Sequence, residues 1–258
     1  MEQQQGSSNA ALSDYGKAIE LTPDNSDVYS YHAYLEQTMG KTNAALADYD
    51  RLIELDPHSA DGYLNRSSIE GTRGDLDRSE ADCGQIARLD PKMSGQAAQG
   101  FRDLGDSRFQ RFQYTNALTD FRKACELDPS DDYAYIGVWL CSSSLGNLEG
   151  ATKELKASLT GRDAKNSSEW PSEVERFLVG SVTEQELLSA ARNTDVQKDK
   201  GQHFDAYYYI GSKRLLAGEK AGATAYFEKC LSTGMTDFWE YRLATAELQT
   251  LKTNRVAP

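Results

Sequence analysis

Histidine is the side chain most ready for acid–base or metal chemistry near neutral pH, and this chain of 258 residues has three, His32, His58 and His203. They are far apart. None has a cysteine or serine partner at a spacing that nucleophilic catalysis uses, and His58 simply follows Pro57 into a turn. The four cysteines form no CxxC pair; Cys83, Cys125 and Cys230 instead fall at helical core positions, where a thiol acts as a small hydrophobe. In an oxidising compartment they could form two disulfides, but no close-spaced pair argues for them. The spacing predicts no metal cluster, no cofactor and no catalytic residue, so the expected chemistry is recognition. The residues expected to carry it are Tyr34, Asp61, Asn65, Arg102, Asp106, Phe109 and Tyr133.

Those residues must be positioned by repeated elements. Pro23, Pro57 and Pro91 are spaced 34 residues apart, and each closes a variant of one phrase: AIELTPDNSDVY, LIELDPHSADGY and QIARLDPKMSG. The phrase returns as ACELDPSDDYAY at Pro129, 38 residues on. A period of this length is the mark of a stacked helical array. Between the prolines, Tyr29, Ala33, Gly40, Ala45, Tyr49 and Pro57 give aromatic, small, turn glycine, small, aromatic and proline; Phe101, Leu104, Gly105, Ala117, Phe121, Ala124 and Pro129 repeat the series. This pattern resembles the tetratricopeptide repeat (TPR). The unit holding Tyr63, Gly74, Ser79, Cys83 and Pro91 is more degenerate, and the next puts Trp139 at a position that is normally small.

The fold expected is all-α: a right-handed α-α superhelix, or TPR solenoid, with an irregular helical insert and a C-terminal capping helix. Its expected parts are a half repeat over 1–25, repeats over 26–59, 60–97 and 98–131, a repeat-like unit over 132–168, short helices over 169–203, a further repeat-like unit over 204–237 and a capping helix with tail over 238–258. Projected back from Pro23, the frame puts an inter-helix turn at Gly6, so the chain is expected to open within a repeat, the alternative being that its first helix serves as an N-terminal cap. The stripe Ala11, Leu12, Tyr15, Ala18 and Ile19 would then lack its partner helix, and a homodimer through residues 10–35 is the expectation that follows. The stretch TGRDAKNSSEWP reads as a loop, and Thr183 with Glu186 as a helix-capping box.

In such a fold the first helix of each repeat lines a concave groove. Its exposed positions are Asp27, Ser30, Tyr34 and Gln37, then Asp61, Leu64 and Ser68, then Gln99, Arg102, Asp106 and Phe109, then Tyr133, Ile136, Leu140 and Ser143. A groove with tyrosines suits an extended peptide, since the ring stacks while the hydroxyl bonds. TPR proteins that clamp a C-terminal carboxylate use two Lys, two Asn and an Arg. Only Asn65 matches, and Ser30, Tyr34, Gln99 and Asp103 stand where others should, so that specificity is not expected.

The segment WPSEVERFLVGSVTEQELLSAARN and the later run AYYYIG with Thr233, Gly234, Thr236 and Phe238 resemble the NlpI-like bacterial lipoproteins over about residues 169–251. That resemblance implies a periplasmic, lipid-anchored, dimeric adaptor holding peptidoglycan hydrolases and a protease together. The start MEQQQGSSNA carries no leader pattern and no lipidated cysteine, so without further upstream sequence the expectation is a cytoplasmic protein. A net charge of −12 argues against nucleic acid or an anionic membrane as partner, and no apolar run is long enough to span a bilayer. Two roles remain: a protein-binding adaptor, or a structural subunit of a homo-oligomer or larger assembly.

Overall fold

The structure, a computed structural model, describes residues 2–162 and 170–253. Among these it is helical, without strands. The contacts divide the chain into two compact units, 1–104 and 105–258. The first holds α1 (Glu2–Leu21), α2 (Ser26–Thr38), α3 (Thr42–Leu55), α4 (Ala60–Arg73), α5 (Leu76–Leu89), a 3₁₀ turn (Pro91–Met93) and most of α6 (Ser94–Phe109). The second holds the end of α6, then α7 (Tyr114–Leu127), α8 (Asp132–Ser144), α9 (Leu148–Gly161), α10 (Trp170–Leu178), α11 (Glu184–Ala190), α12 (Val196–Leu216), α13 (Lys220–Ser232) and α14 (Trp239–Thr253).

The recurring Asp-Pro dipeptide builds the junction between repeats. Proline bars the residue before it from helical geometry, and Asp56, Asp90 and Asp128 accordingly end α3, α5 and α7 in extended conformation with φ of −131°, −134° and −133°. Each carboxylate then accepts the amide N–H two residues on: His58 at 3.1 Å, Lys92 at 2.9 Å and Ser130 at 2.9 Å. Helices begin at Ser26, Ala60, Ser94 and Asp132, three residues after Pro23, Pro57, Pro91 and Pro129. Asn25, Ser59 and Asp131 cap α2, α4 and α8 by accepting a first-turn amide.

The turn inside each repeat needs left-handed backbone, which glycine adopts freely. Gly40, Gly74, Gly146 and Gly218 supply it with φ from 74° to 88°. In the repeat built from α6 and α7 that place falls to Phe112, at φ 59°. Close helix approach also demands glycine: the Phe121 ring lies between Gly105 of α6 and Gly137 of α8, where an added Cβ would come within 2.8 Å and 2.5 Å of it.

Several boundaries differ from the sequence expectation. Helix α1 runs unbroken through Gly6, because nothing in EQQQGSSN forces a turn once Gly6 takes helical geometry. Helix α6 starts at Ser94 rather than Ala98, so the four extra residues of that unit lengthen its helix and inner turn. Helix α12 starts at Val196, eight residues before Phe204, with Asp195 capping it. The loop expected around TGRDAKNSSEWP lies largely at 163–169, outside the described residues, as does the tail 254–258. The capping box at Thr183 and Glu186 is present. Trp139 is fully buried and its Nε1–H donates to Thr152 Oγ1 at 3.2 Å.

Candidate partner-binding face

In the first unit, α2 buries Tyr29, Ala33 and Glu36 against α3 and turns Tyr31 and Tyr34 outward, exposed by 60% and 59%. Tyr31 stacks on Tyr15 of α1 with ring centroids 5.9 Å apart. Tyr34 keeps its ring in solvent. On α4, Asp61 is exposed and Asn65 half-buried, and Ser59 fixes the start of the helix by accepting the Gly62 amide at 3.2 Å. On α6, Arg102 is half-buried and donates to Gln99 Oε1, and Gln99 donates in turn to Asp103 at 2.6 Å. Tyr34, Asp61, Asn65 and Arg102 therefore stand on the first helices of three consecutive repeats, each open to solvent at least in part.

Behind this face the helices are pinned by ion pairs. Arg66 Nε and Nη2 grip Asp82 at 2.8 Å and 2.7 Å, while Nη1 reaches Asp50 at 2.7 Å; the two carboxylates raise the guanidinium still further above its ordinary range. Its charge is thus spent inside the repeat, and the outer face is left mildly acidic through Asp27 and Asp61.

The second unit treats its expected residues differently. Asp106 is half-buried and Tyr133 is 42% exposed. Phe109, expected at the face, is buried against Tyr114 and Trp239 with ring centroids at 5.1 Å and 6.1 Å. Ile136, Leu140 and Ser143 are buried too. The physical reason is that the chain covers its own surface here: α10 packs on α8 and α9, and α14 on α12 and α13, merging Ile136, Leu140, Phe177, Tyr208 and Leu243 into one apolar cluster. A signal was present in the sequence, since YAYIGVWLC is apolar on every side, as a helix buried all round must be.

The thiols offer no reactivity. None of the four cysteines is in a disulfide; Cys83, Cys141 and Cys230 are buried, and burial raises Cys125 to about 12 and pushes Cys141 and Cys230 higher. His203 is tied into its own helix, Nδ1 lying 2.8 Å from the Asp199 carbonyl oxygen. His32 is different. Its ring nitrogen contacts Asp48, and together with Glu36 these residues offer three donor atoms within 4.8 Å of one another. Spacing alone missed this group, although His32 and Glu36 are one helical turn apart and the repeat frame brings Asp48 back alongside.

Two stretches match the tetratricopeptide repeat family, residues 31–94 and 103–131. A curated relative, the lipoprotein NlpI homolog of Haemophilus influenzae, is 26% identical over 146 residues, or 54% of this chain and 44% of that protein. The match thus spans less than half of the relative's length. Among solved structures, a tetratricopeptide repeat protein from Parabacteroides merdae aligns with a TM-score of 0.51 at 17% identity, over 96% of this chain and 94% of that one. YrrB, described as a TPR protein with an unusual peptide-binding site, aligns with a TM-score of 0.50 at 20% identity, over 91% of this chain and 98% of its own. At these identities the structural likeness establishes the fold. No helix among the described residues is long and apolar enough to cross a membrane.

Proposed function

We propose that this chain, a tetratricopeptide repeat protein that resembles NlpI, is a non-catalytic adaptor that binds an extended protein segment along α2, α4 and α6 of its first unit. What carries the reading is the outward placement of Tyr34 on α2 while Asp61, Asn65 and Arg102 occupy the first helices of the next two repeats. A solvent-exposed tyrosine gives a ring for stacking and a hydroxyl for bonding with only two torsions to fix. The Asn65 amide can donate and accept at once, which is what a peptide backbone requires. Asp27 and Asp61 favour a segment with basic side chains through complementary charge.

The resemblance to NlpI extends the proposal to a periplasmic scaffold that brings cell-wall hydrolases and a protease together. The binding step is tested first. Peptides selected from a random displayed library are expected to be enriched in basic and apolar residues, and Tyr34→Ala combined with Asn65→Ala is expected to weaken them by about tenfold or more, equivalent to about 1.4 kcal/mol. Selected peptides whose affinity ignores both changes, or a library yielding no binder, would overturn the reading.

A further inference from the structure

The first repeat lacks the arginines that the next two repeats set against their buried carboxylates. The first three repeats each place an aspartate on their second helix, Asp48 on α3, Asp82 on α5 and Asp120 on α7, at spacings of 34 and 38 residues. In the second repeat Asp82 is held by Arg66 through two bonds of 2.8 Å and 2.7 Å, and the buried Glu70 faces Arg78, whose Nε lies 2.9 Å away. In the third, Asp120 is 2.8 Å from Arg108 Nη1, with both side chains buried. A guanidinium therefore neutralises this aspartate wherever it recurs.

In the first repeat the positions of Arg66 and Arg78 are taken by His32 and Ala44, and the position of Glu70 by Glu36. Two carboxylates remain, and both arginines are gone. Glu36 is 6% exposed and its Oε2 has no hydrogen-bond partner; the Glu70 oxygens have none either, but Glu70 keeps Arg78 within ion-pair distance, whereas Ala44 stands at that place beside Glu36. A buried acceptor is destabilising unless a donor or cation reaches it. His32 and Asp48 keep 16% and 19% of their side-chain surface exposed, so the cluster is not sealed from solvent.

We propose that His32, Glu36 and Asp48 form a binding site for one divalent transition-metal cation of the zinc class, held between α2 and α3. The donor set is one imidazole and two carboxylates, with donor atoms within 4.8 Å of one another. Around a zinc ion, with bonds of about 2.0–2.2 Å, neighbouring donors stand about 3–3.5 Å apart, so rotamer adjustments suffice to close the site. The imidazole favours zinc, cobalt or nickel over magnesium and calcium, which take oxygen ligands. Two negative charges and a neutral ring balance a dication as the two arginines balance Glu70 and Asp82 in the next repeat. Three protein ligands leave the remaining positions to water on the solvent side. The ion would latch the two helices of the first repeat, the task that Arg66 performs in the second.

The test uses the whole chain freed of metal with a chelator. Titration with zinc chloride by calorimetry is expected to show one equivalent bound and a raised melting temperature, and cobalt(II) is expected to give visible absorption bands of a ligated ion, whereas magnesium produces neither. His32→Arg copies the second repeat, so it should fold with its helical circular dichroism and metal-free melting temperature retained. Its zinc affinity should fall by at least tenfold, the loss that even removal of an outer hydrogen-bond partner produces at metal sites. Glu36→Gln should weaken zinc similarly. Absence of stoichiometric binding at millimolar zinc, or binding that survives His32→Arg because His58 or His203 carries it, would overturn the assignment.

Discussion

Trp139 shows how far one residue can depart from its repeat and be accommodated. It takes a position that is small elsewhere, yet it is fully enclosed and its indole N–H finds Thr152. Trp139→Ala removes a large buried ring and is expected to destabilise the protein by about 3–5 kcal/mol in chemical denaturation; a loss under about 1 kcal/mol would contradict its packing. Phe112 departs in the other sense, with a left-handed φ of 59° where the other repeats use glycine. Phe112→Gly relieves roughly 1–2 kcal/mol of backbone strain. It forfeits the edge contact with Tyr114, about 0.5–1.5 kcal/mol, and adds about 0.5–1 kcal/mol of backbone freedom. These nearly cancel, so the expected change is within about 1 kcal/mol, whereas Phe109→Ala three residues earlier should cost about 3–5 kcal/mol. For the thiols, native Cys83, Cys141 and Cys230 should resist alkylation until the chain is unfolded, and rapid labelling of the native protein would place them outside the core.

Elements were legible where local chemistry decides them. Asp-Pro, the capping residues Asn25, Ser59 and Asp131, and the turn glycines set helix boundaries through contacts two or three residues long, and sequence records such contacts directly. Where α6 and α12 begin was not, because the segments before Ala98 and Phe204 are helix-compatible and only a cap further upstream ends them. The burial of Ile136 and Leu140 was signalled only by a helix apolar on every side, and that of Phe109 not at all, since the covering helices α10 and α14 arrive from residues 30 or more positions away. The Phe121 contact makes a further prediction about how closely these helices approach. Gly137→Ala puts a methyl 2.5 Å from that ring and is expected to cost about 1–3 kcal/mol; a neutral result would mean that α7 and α8 stand further apart.

On the scale of the whole molecule, the formal balance of −12 counts carboxylates whose pKa burial raises. Burial raises Asp205 to about 7, partly opposed by the Trp170 N–H at 2.8 Å, and Glu240 is raised well above its ordinary value by burial and by Asp205. A group whose pKa is raised on folding stabilises fully below its unfolded pKa, near 3.8 for Asp205, and loses that contribution as pH climbs through about 7. Relative to Asp205→Asn, the wild type should therefore lose melting temperature between about pH 4 and pH 8, and a constant difference between the two across that range would refute the assignment.

The central claim, that the first helices α2, α4 and α6 present the binding face, is tested most directly on α2 and α4 by photo-crosslinking a library-selected peptide to the chain. A benzophenone amino acid would replace Tyr31 on α2 or Ser68 on α4, with Ala47 on α3 and Ala81 on α5 as exposed controls. The account predicts covalent capture of the peptide from positions 31 and 68 and none from 47 and 81. Capture from the α3 and α5 positions, with none from α2 and α4, would contradict it.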